Sequence, residues 1–220
     1  GEFVEAGFIQ YPDAPDSVKV LFDAFRADPE GSPLPTPSGR IELHSSTIAR
    51  FGHPDCPSHP MFLEPREWLG AVGEYPLHLL SSQPSTRLHS QLDHGATSAA
   101  RKIDGREVMR MHPDDAAARD ISDGDTVRVF NDRGVCFASV AVTDGIRSGV
   151  VDLPTGAWYD PVDPSVPGSP CRHGNPNVLT RDEGTSSLAQ GPVAQSCLVE
   201  VERSSDAPTP DPHSSPDIIG

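Results

Sequence analysis

"ISDGDTVRVFNDRGVCFASVAV" (residues 121–142) holds two β-favouring runs, TVRVF and VCFASVAV, on either side of the polar stretch NDRG (131–134). Val, Thr and Phe fit a pleated surface, while Asn, Asp and Gly supply the backbone conformations of a tight turn. The stretch reads as a β-hairpin. Working outward, PLHLLS (76–81), REVMRMH (106–112), VVDLP (150–154) and SCLVEVE (196–202) read as further strands. PDDAAARD (113–120) reads as a short helix. Pro113 suits its first turn, and Asp114 and Asp115 favour the positive end of its dipole, a structural rather than catalytic use. Short strands, tight turns and one clear helix predict a mainly β fold with a few short helices, closed or nearly closed into a barrel over residues 75–203.

The flanks read differently. Residues 1–74 form an irregular extension with no core of its own. Within it, Val18 to Phe25 is an amphipathic patch of helical character, SPLPTPSGR (32–40) is a connector, RIELHSS (40–46) alternates like a short strand, and FGHPDCPSHPMFLEP (51–65) is ordered coil. The tail 204–220, SSDAPTPDPHSSPDIIG, lacks the apolar content to offset ordering entropy and is expected to be disordered. The opening GEFVEAGFIQ has no basic n-region and no initiator Met. It reads as the interior of a longer polypeptide, so the compartment is left open: an export signal, where one exists, lies upstream.

Composition narrows the chemistry. Of 220 residues only 35% are aliphatic or aromatic and 24 are proline, which fits a compact core with long irregular stretches. Net charge is −15, from 17 basic and 32 acidic residues, which argues against a nucleic-acid partner. Twelve of the basic residues fall within 75–203, the region able to hold an anionic ligand. Cys56, Cys136, Cys171 and Cys197 are far apart and form no CxxC, so reduced, partly buried thiols are expected rather than an iron–sulfur or structural zinc site. No window approaches the ~18 apolar residues of a membrane span. Nine histidines include no HExxH pair, and no GxSxG, GxxxxGK or GxGxxG occurs. The paired carboxylates sit in turns and helix starts.

Three polar clusters remain between strands. SSQPSTRLHSQ (81–91) places hydroxyls, amides, Arg87 and His89 directly after an apolar strand. LPTGAWYDP (153–161) offers Gly156 and Ala157 for close backbone approach, with Trp158 and Tyr159 as flat faces carrying a polar edge. HGNPNVLTRDEGTSSLAQG (173–191), followed by VAQ (193–195), supplies many amide and hydroxyl groups. Such a set suits a heterocycle and a pyrophosphate better than a hydrocarbon.

These clusters, in this order, resemble the C-terminal part of the dimethyl sulfoxide reductase family of molybdenum enzymes. The likeness runs from TPSGRIEL (36–43) through PLHLLSSQPSTRLHSQLD, HPDDAAARDISDGDTVRVFNDRG, GAWYDP and HGNPNVLTRDEGTSSLAQG to LVEVE, most of residues 34–203. The HGNPNVLT form is similar to the biotin sulfoxide reductase and trimethylamine N-oxide reductase branch. The resemblance implies a six-stranded double-psi β-barrel that closes over a bis-(molybdopterin guanine dinucleotide) cofactor. It implies that Ser81, Ser82, Gln83 and Pro84 approach the cofactor, that Arg87 meets its anionic or carbonyl groups, and that His89 and Ser90 lie against a pterin. It also implies that Asn177, Ala194 and Gln195 hydrogen-bond a pterin edge, and that Trp158 forms part of the wall. Some members carry His where this chain has Gln83. Family members are several hundred residues long, and the molybdenum ligand lies in an N-terminal portion absent here. No catalytic or metal-ligating residue is therefore assigned. The implied partners are that missing portion and the parent's small S-oxide or N-oxide substrate. The polar loops favour this reading over a stand-alone β-barrel binding or interaction module, or an inactive remnant.

Overall fold

Val127 and Val129 are fully buried, while Thr126, Arg128 and Phe130 between them are half-exposed. That period of two is the signature of a strand with one face on a core. The computed structural model describes residues 2–9, 20–71 and 73–210. The strands are β1 (Leu77–Leu80), β2 (Val108–Met111), β3 (Thr126–Asn131), β4 (Gly134–Val142), β5 (Val150–Asp152), β6 (Gly184–Ser186), β7 (Ala189–Pro192) and β8 (Leu198–Arg203). Short α-helices are α1 (Glu2–Ala6), α2 (Asp23–Ala27), α3 (Ser46–Phe51), α4 (Ala96–Ala99) and α5 (Pro113–Ala117).

Six strands close into a barrel in the order β1-β5-β2-β4-β3-β8, with β8 returning to β1. The pairs β1/β5 and β2/β4 are parallel and the rest antiparallel. This crossed arrangement is the double-psi barrel. Its interior is filled by inward residues such as Leu79, Met109, Met111, Val140, Val151 and Val199, all fully buried. The expected hairpin is β3/β4, in register from Thr126↔Ser139 to Asn131↔Gly134. All four cysteines are free; Cys136, Cys171 and Cys197 are buried in the core and Cys56 is half-buried.

The expected helix at 113–120 is α5. Asp115, expected only to complement the helix dipole, also closes onto the β4–β5 turn, accepting from Ser148 Oγ (3.0 Å) and Gly149 N (2.7 Å). Other expectations need correction. RIELHSS (40–46) is not a strand. Glu42 instead accepts the Ser38 N–H (2.9 Å), and Ser45 caps α3 by accepting from Ile48 N (3.3 Å). Alternation without a neighbouring strand to pair with makes no sheet. The helix expected at Val18–Phe25 is α2, which starts only at Asp23 after Phe22 at φ 59°; Val18 and Lys19 lie outside the described residues. The β6/β7 hairpin was not anticipated, and it takes part of the third polar cluster onto an exposed ribbon.

The chain divides into two compact units, Gly1–Met61 and Phe62–Gly220. No described residue of the first is buried. The second begins before the barrel, with a segment bound to it through side chains. Arg133 Nη1 and Nη2 donate to Glu67 (2.8 and 2.9 Å), and Glu67 also accepts the Leu198 N–H (2.8 Å) where β8 begins. From the tail expected to be disordered, residues 204–210 are placed. Ser204 N donates to Thr126 O (2.9 Å) and Arg106 Nη2 to Pro208 O (2.8 Å). These bonds use backbone carbonyls, which composition does not register; residues 211–220 lie outside the described residues.

Glu67 generates a pH prediction. Burial pushes its carboxyl up, but Arg133 and the Leu198 N–H outweigh burial, so it titrates below its ordinary value of 4.5. A depressed folded-state pKa adds stability that is complete above the unfolded value and lost as pH falls through the folded one. Glu67→Gln should cost roughly 1–3 kcal/mol at pH 7 and flatten the loss of stability below pH 4.5. Urea unfolding at pH 7 and pH 3.5 measures both effects.

Candidate functional site

Because β1 and β5 run parallel, their C-terminal ends emerge side by side. The chains continue in step: Leu153 N donates to Leu80 O (3.0 Å) and Thr155 N to Ser82 O (2.9 Å). β8 is antiparallel to β1, so the turn preceding β8 arrives at the same end. Three of the polar segments singled out by sequence therefore meet at one end of the barrel.

Several of their polar groups are consumed in holding that meeting. The Gln195 side-chain amide accepts from Ser81 N (3.1 Å) and donates to Ser81 O (3.0 Å), while its own carbonyl lies 2.7 Å from His78 Nε2. Asp152 takes Ser82 N (3.1 Å), Ser82 Oγ (2.8 Å) and the Arg110 guanidinium (Nε 3.1 Å, Nη2 2.5 Å). Gln83 Nε2 donates to Arg87 O (2.7 Å), closing the loop on itself. Trp158 Nε1 donates to Ser90 O (2.7 Å).

Beneath the loop lies a buried ionic cluster. Asp93 is completely buried. Its carboxylate faces Lys102 Nζ (2.8 Å), Arg87 Nε (3.5 Å) and His173 Nε2 (3.5 Å), and accepts the Trp158 N–H (3.1 Å). Glu107 faces Arg87 Nη2 (3.1 Å) and Lys102 Nζ (3.5 Å). Asp160 binds Arg172 (2.8 Å) and lies 3.4 Å from His173 Nδ1. Burial raises the Asp93 pKa, but hydrogen bonds from His173, Lys102 and Trp158 N–H dominate and hold it well below the usual carboxylate range. The charged form of the carboxylate is thus favoured, and the neighbouring cations face it.

Gly156 allows the two loops to touch. It sits at φ +94°, and a Cβ there would lie 1.9 Å from the His89 carbonyl oxygen and 3.2 Å from Arg87 Nε. His89 itself adopts φ 50° and Leu92 φ 58°, conformations uncommon for side-chain-bearing residues. Strained backbone of this kind persists where its surroundings over-determine it, typically around ligand sites.

Two open depressions flank the loop. One, about 500 Å³, brings together His89, Ser90, Gly156, Trp158, Asn175 and Asn177. The other, about 530 Å³, is lined by Ser82, Gln83, Pro84, Ser85, Thr86, Arg101 and Arg110 among others. The side chains of His89, Ser90 and Asn177 are thus brought to one surface. Others are not. Arg87 also borders the second depression, but its side chain is 2% exposed and donates to Thr155 O (2.9 Å), so it supports the loop from beneath. Gln195 has its amide occupied by Ser81, and Ala194 lines neither depression. Ser81 is buried, and its Oγ has no partner among the described residues. Sequence reading missed Asp93, Lys102, Glu107 and His173, which are scattered over 80 residues with no spacing to mark them. No cluster of three or more His, Cys, Asp or Glu positioned to hold a metal occurs among the described residues.

The family model described as "Molydopterin dinucleotide binding domain" matches residues 77–198, which takes in all of these segments. The chain belongs to this family. It is 51% identical over 179 residues to a biotin sulfoxide reductase of Cereibacter sphaeroides, covering 81% of this chain and 24% of that protein. It is 46% identical over 202 residues to a dimethyl sulfoxide/trimethylamine N-oxide reductase of Rhodobacter capsulatus, covering 91% of this chain and 24% of that one. The chain spans about a quarter of the length of these curated relatives. Among solved structures, acetylene hydratase from Pelobacter acetylenicus shares the fold with a TM-score of 0.65 at 20% identity, over 80% of this chain and 25% of that one. Within this dinucleotide-binding family, Gly156 and the Asp93 cluster are the parts of the present chain that set the loop surface.

Two substitutions test that. Asp93→Asn should leave Lys102 and Arg87 short of countercharge in the interior and cost about 3–5 kcal/mol of unfolding free energy. Gly156→Ala should cost more than about 1 kcal/mol and loosen the loop, raising amide hydrogen exchange at 86–92 more than at 126–142.

Proposed function

We propose that this chain is the C-terminal cofactor-binding domain of a molybdenum oxidoreductase that reduces S-oxides or N-oxides by oxygen-atom transfer, and that it forms one wall of the site for a bis-(molybdopterin guanine dinucleotide) cofactor. The observation that carries the proposal is the family match over 77–198, within which His89, Ser90 and Asn177 converge on one depression. The residues present fit such a group. Gly156 keeps the facing backbone bare, the surface offers amide, hydroxyl and imidazole partners, and Ser81 Oγ is buried with no partner among the described residues.

His89, Ser90 and Asn177 would hold the pterin portion by hydrogen bonds, with the Trp158 ring as wall. Ser82, Gln83 and Pro84 would border it from the neighbouring depression. Arg87, Ser81 and Gln195 act one step removed, fixing the loop that presents the others. When bound, the cofactor supplies the two-electron chemistry of oxygen-atom transfer. This chain contributes orientation and exclusion of water, the protein's usual share in cofactor enzymes. The substrate, electron donor and molybdenum ligand belong to the remainder of the parent enzyme.

Two variants of the full-length parent separate direct holding from support. Asn177→Ala should lower molybdenum per protein after gel filtration severalfold and leave the melting temperature within about 2 °C, because a surface amide contributes little to folding. Arg87→Ala should lower both, because it leaves Asp93 and Glu107 undercompensated. Full molybdenum content in both variants would reject the site.

A further inference from the structure

The unit Gly1–Met61 exposes what a folded protein normally covers. Leu21, Phe22, Ile41, Leu43, Phe51 and Met61 are each more than half exposed, and no described residue of the unit is buried. The barrel unit, by contrast, holds the whole buried apolar core. A segment with this many exposed large apolar side chains does not recover its ordering entropy from contacts of its own. Yet it has defined structure: Ser45 caps α3, Ser45 N donates to Ser58 O (2.7 Å), and Leu34 N donates to Gly39 O (2.8 Å). Pro33, Pro35 and Pro37 further restrict its backbone. The segment is preorganised to be covered.

We infer that the exposed apolar side chains of residues 21–61 are a docking surface for the remainder of the same polypeptide, the three quarters that the reductase relatives possess and this chain lacks. The inference rests on the proposed function and deepens it by naming the contact surface. Three observations select that occupant. The family model ends at the barrel, covering 77–198 only, so the dinucleotide-binding domain does not by itself account for this segment. The 46% identity to the Rhodobacter capsulatus reductase extends over 202 of 220 residues and therefore takes in 21–61. The segment is thus shared with an enzyme four times longer and lies outside the domain that explains the rest. Its charge also fits: residues 21–61 hold five acidic and three basic side chains in a chain of net charge −15, so apolar area rather than charge would drive the contact.

Hydrogen–deuterium exchange on the full-length enzyme and on the 220-residue chain tests this. Amides in 41–51 should exchange at least tenfold more slowly in the full-length enzyme than in the 220-residue chain. Leu43→Asp combined with Phe51→Asp in the full-length enzyme should abolish that protection and open the 32–40 connector to protease, with peptides 126–142 unchanged. Equal exchange in both wild-type forms would overturn the inference. So would concentration-independent protection in the 220-residue chain, which would make its own barrel the cover. Protection that grows with concentration of that chain would name a second copy and overturn it equally. The wild-type comparison decides even where the double variant fails to fold. Molybdenum content of the same full-length enzyme reads the proposed function separately: a metal-free enzyme with a protected segment sinks that reading and keeps the docking surface.

Discussion

A carboxylate with no access to water organises the upper end of this barrel. Asp93 is fully buried, and taking one charge out of water costs several kcal/mol even after relaxation. The fold tolerates it because Lys102, Arg87 and His173 approach from three separate chain segments, with the Trp158 N–H from a fourth. Any one partner withdrawn leaves another charge unmatched. The segments are therefore locked together more tightly than apolar contacts, which tolerate sliding, would lock them. The loop that follows β1 inherits its shape from this constraint, including the left-handed backbone at His89 and Leu92.

The barrel topology decides which groups face inward and which remain free. Parallel β1 and β5 deliver two loops to the same end, and Gly156 lets their backbones come into contact. Side chains nearest the strand ends then serve the protein itself: Ser82 through Asp152, Ser81 through Gln195, Arg87 through Glu107 and Asp93. Residues farther along each loop, such as His89, Ser90 and Asn177, keep their polar groups at the surface. Short hydroxyl and amide side chains thus do two jobs in one stretch of sequence, anchoring at its start and presenting at its middle.

The sequence made the barrel legible because its strands obey simple local rules. TVRVF alternates, NDRG turns, and PDDAAARD starts a helix with proline and acid, and each became the expected element. RIELHSS obeyed the same alternation and failed, because a strand exists only with a partner and nothing in a single segment reports one. The β6/β7 ribbon was missed for the converse reason: GTSSLAQG is weakly patterned, and its pairing is confined to a few exposed residues. At the candidate site, polarity picked out loops that the fold brings to one end of the barrel, but not the direction of each side chain. Arg87 and Gln195 look alike as polar letters in a string, and only the structure shows that the Arg87 side chain is buried and that the exposed Gln195 spends its amide on Ser81.

This redistribution changes the electrostatic account of an anionic ligand. Arg87 appeared to be the loop's cationic grip, but its charge is already matched by Asp93 and Glu107. Arg87 shares these two carboxylates with Lys102, and a cluster of two cations and two anions offers little net field to a phosphate above it. The positive charge left over near the loop is carried by Arg101, exposed in the depression lined by Ser85 and Thr86; Arg110 is half exposed in the same depression, with its charge paired to Asp152. On the proposed reading, attraction for the anionic part of a dinucleotide therefore rests with the exposed Arg101. Arg87 supplies rigidity instead. A buried arginine whose charge is matched by carboxylates raises the precision of a site without raising its charge, and it lies directly beneath the strained loop at His89.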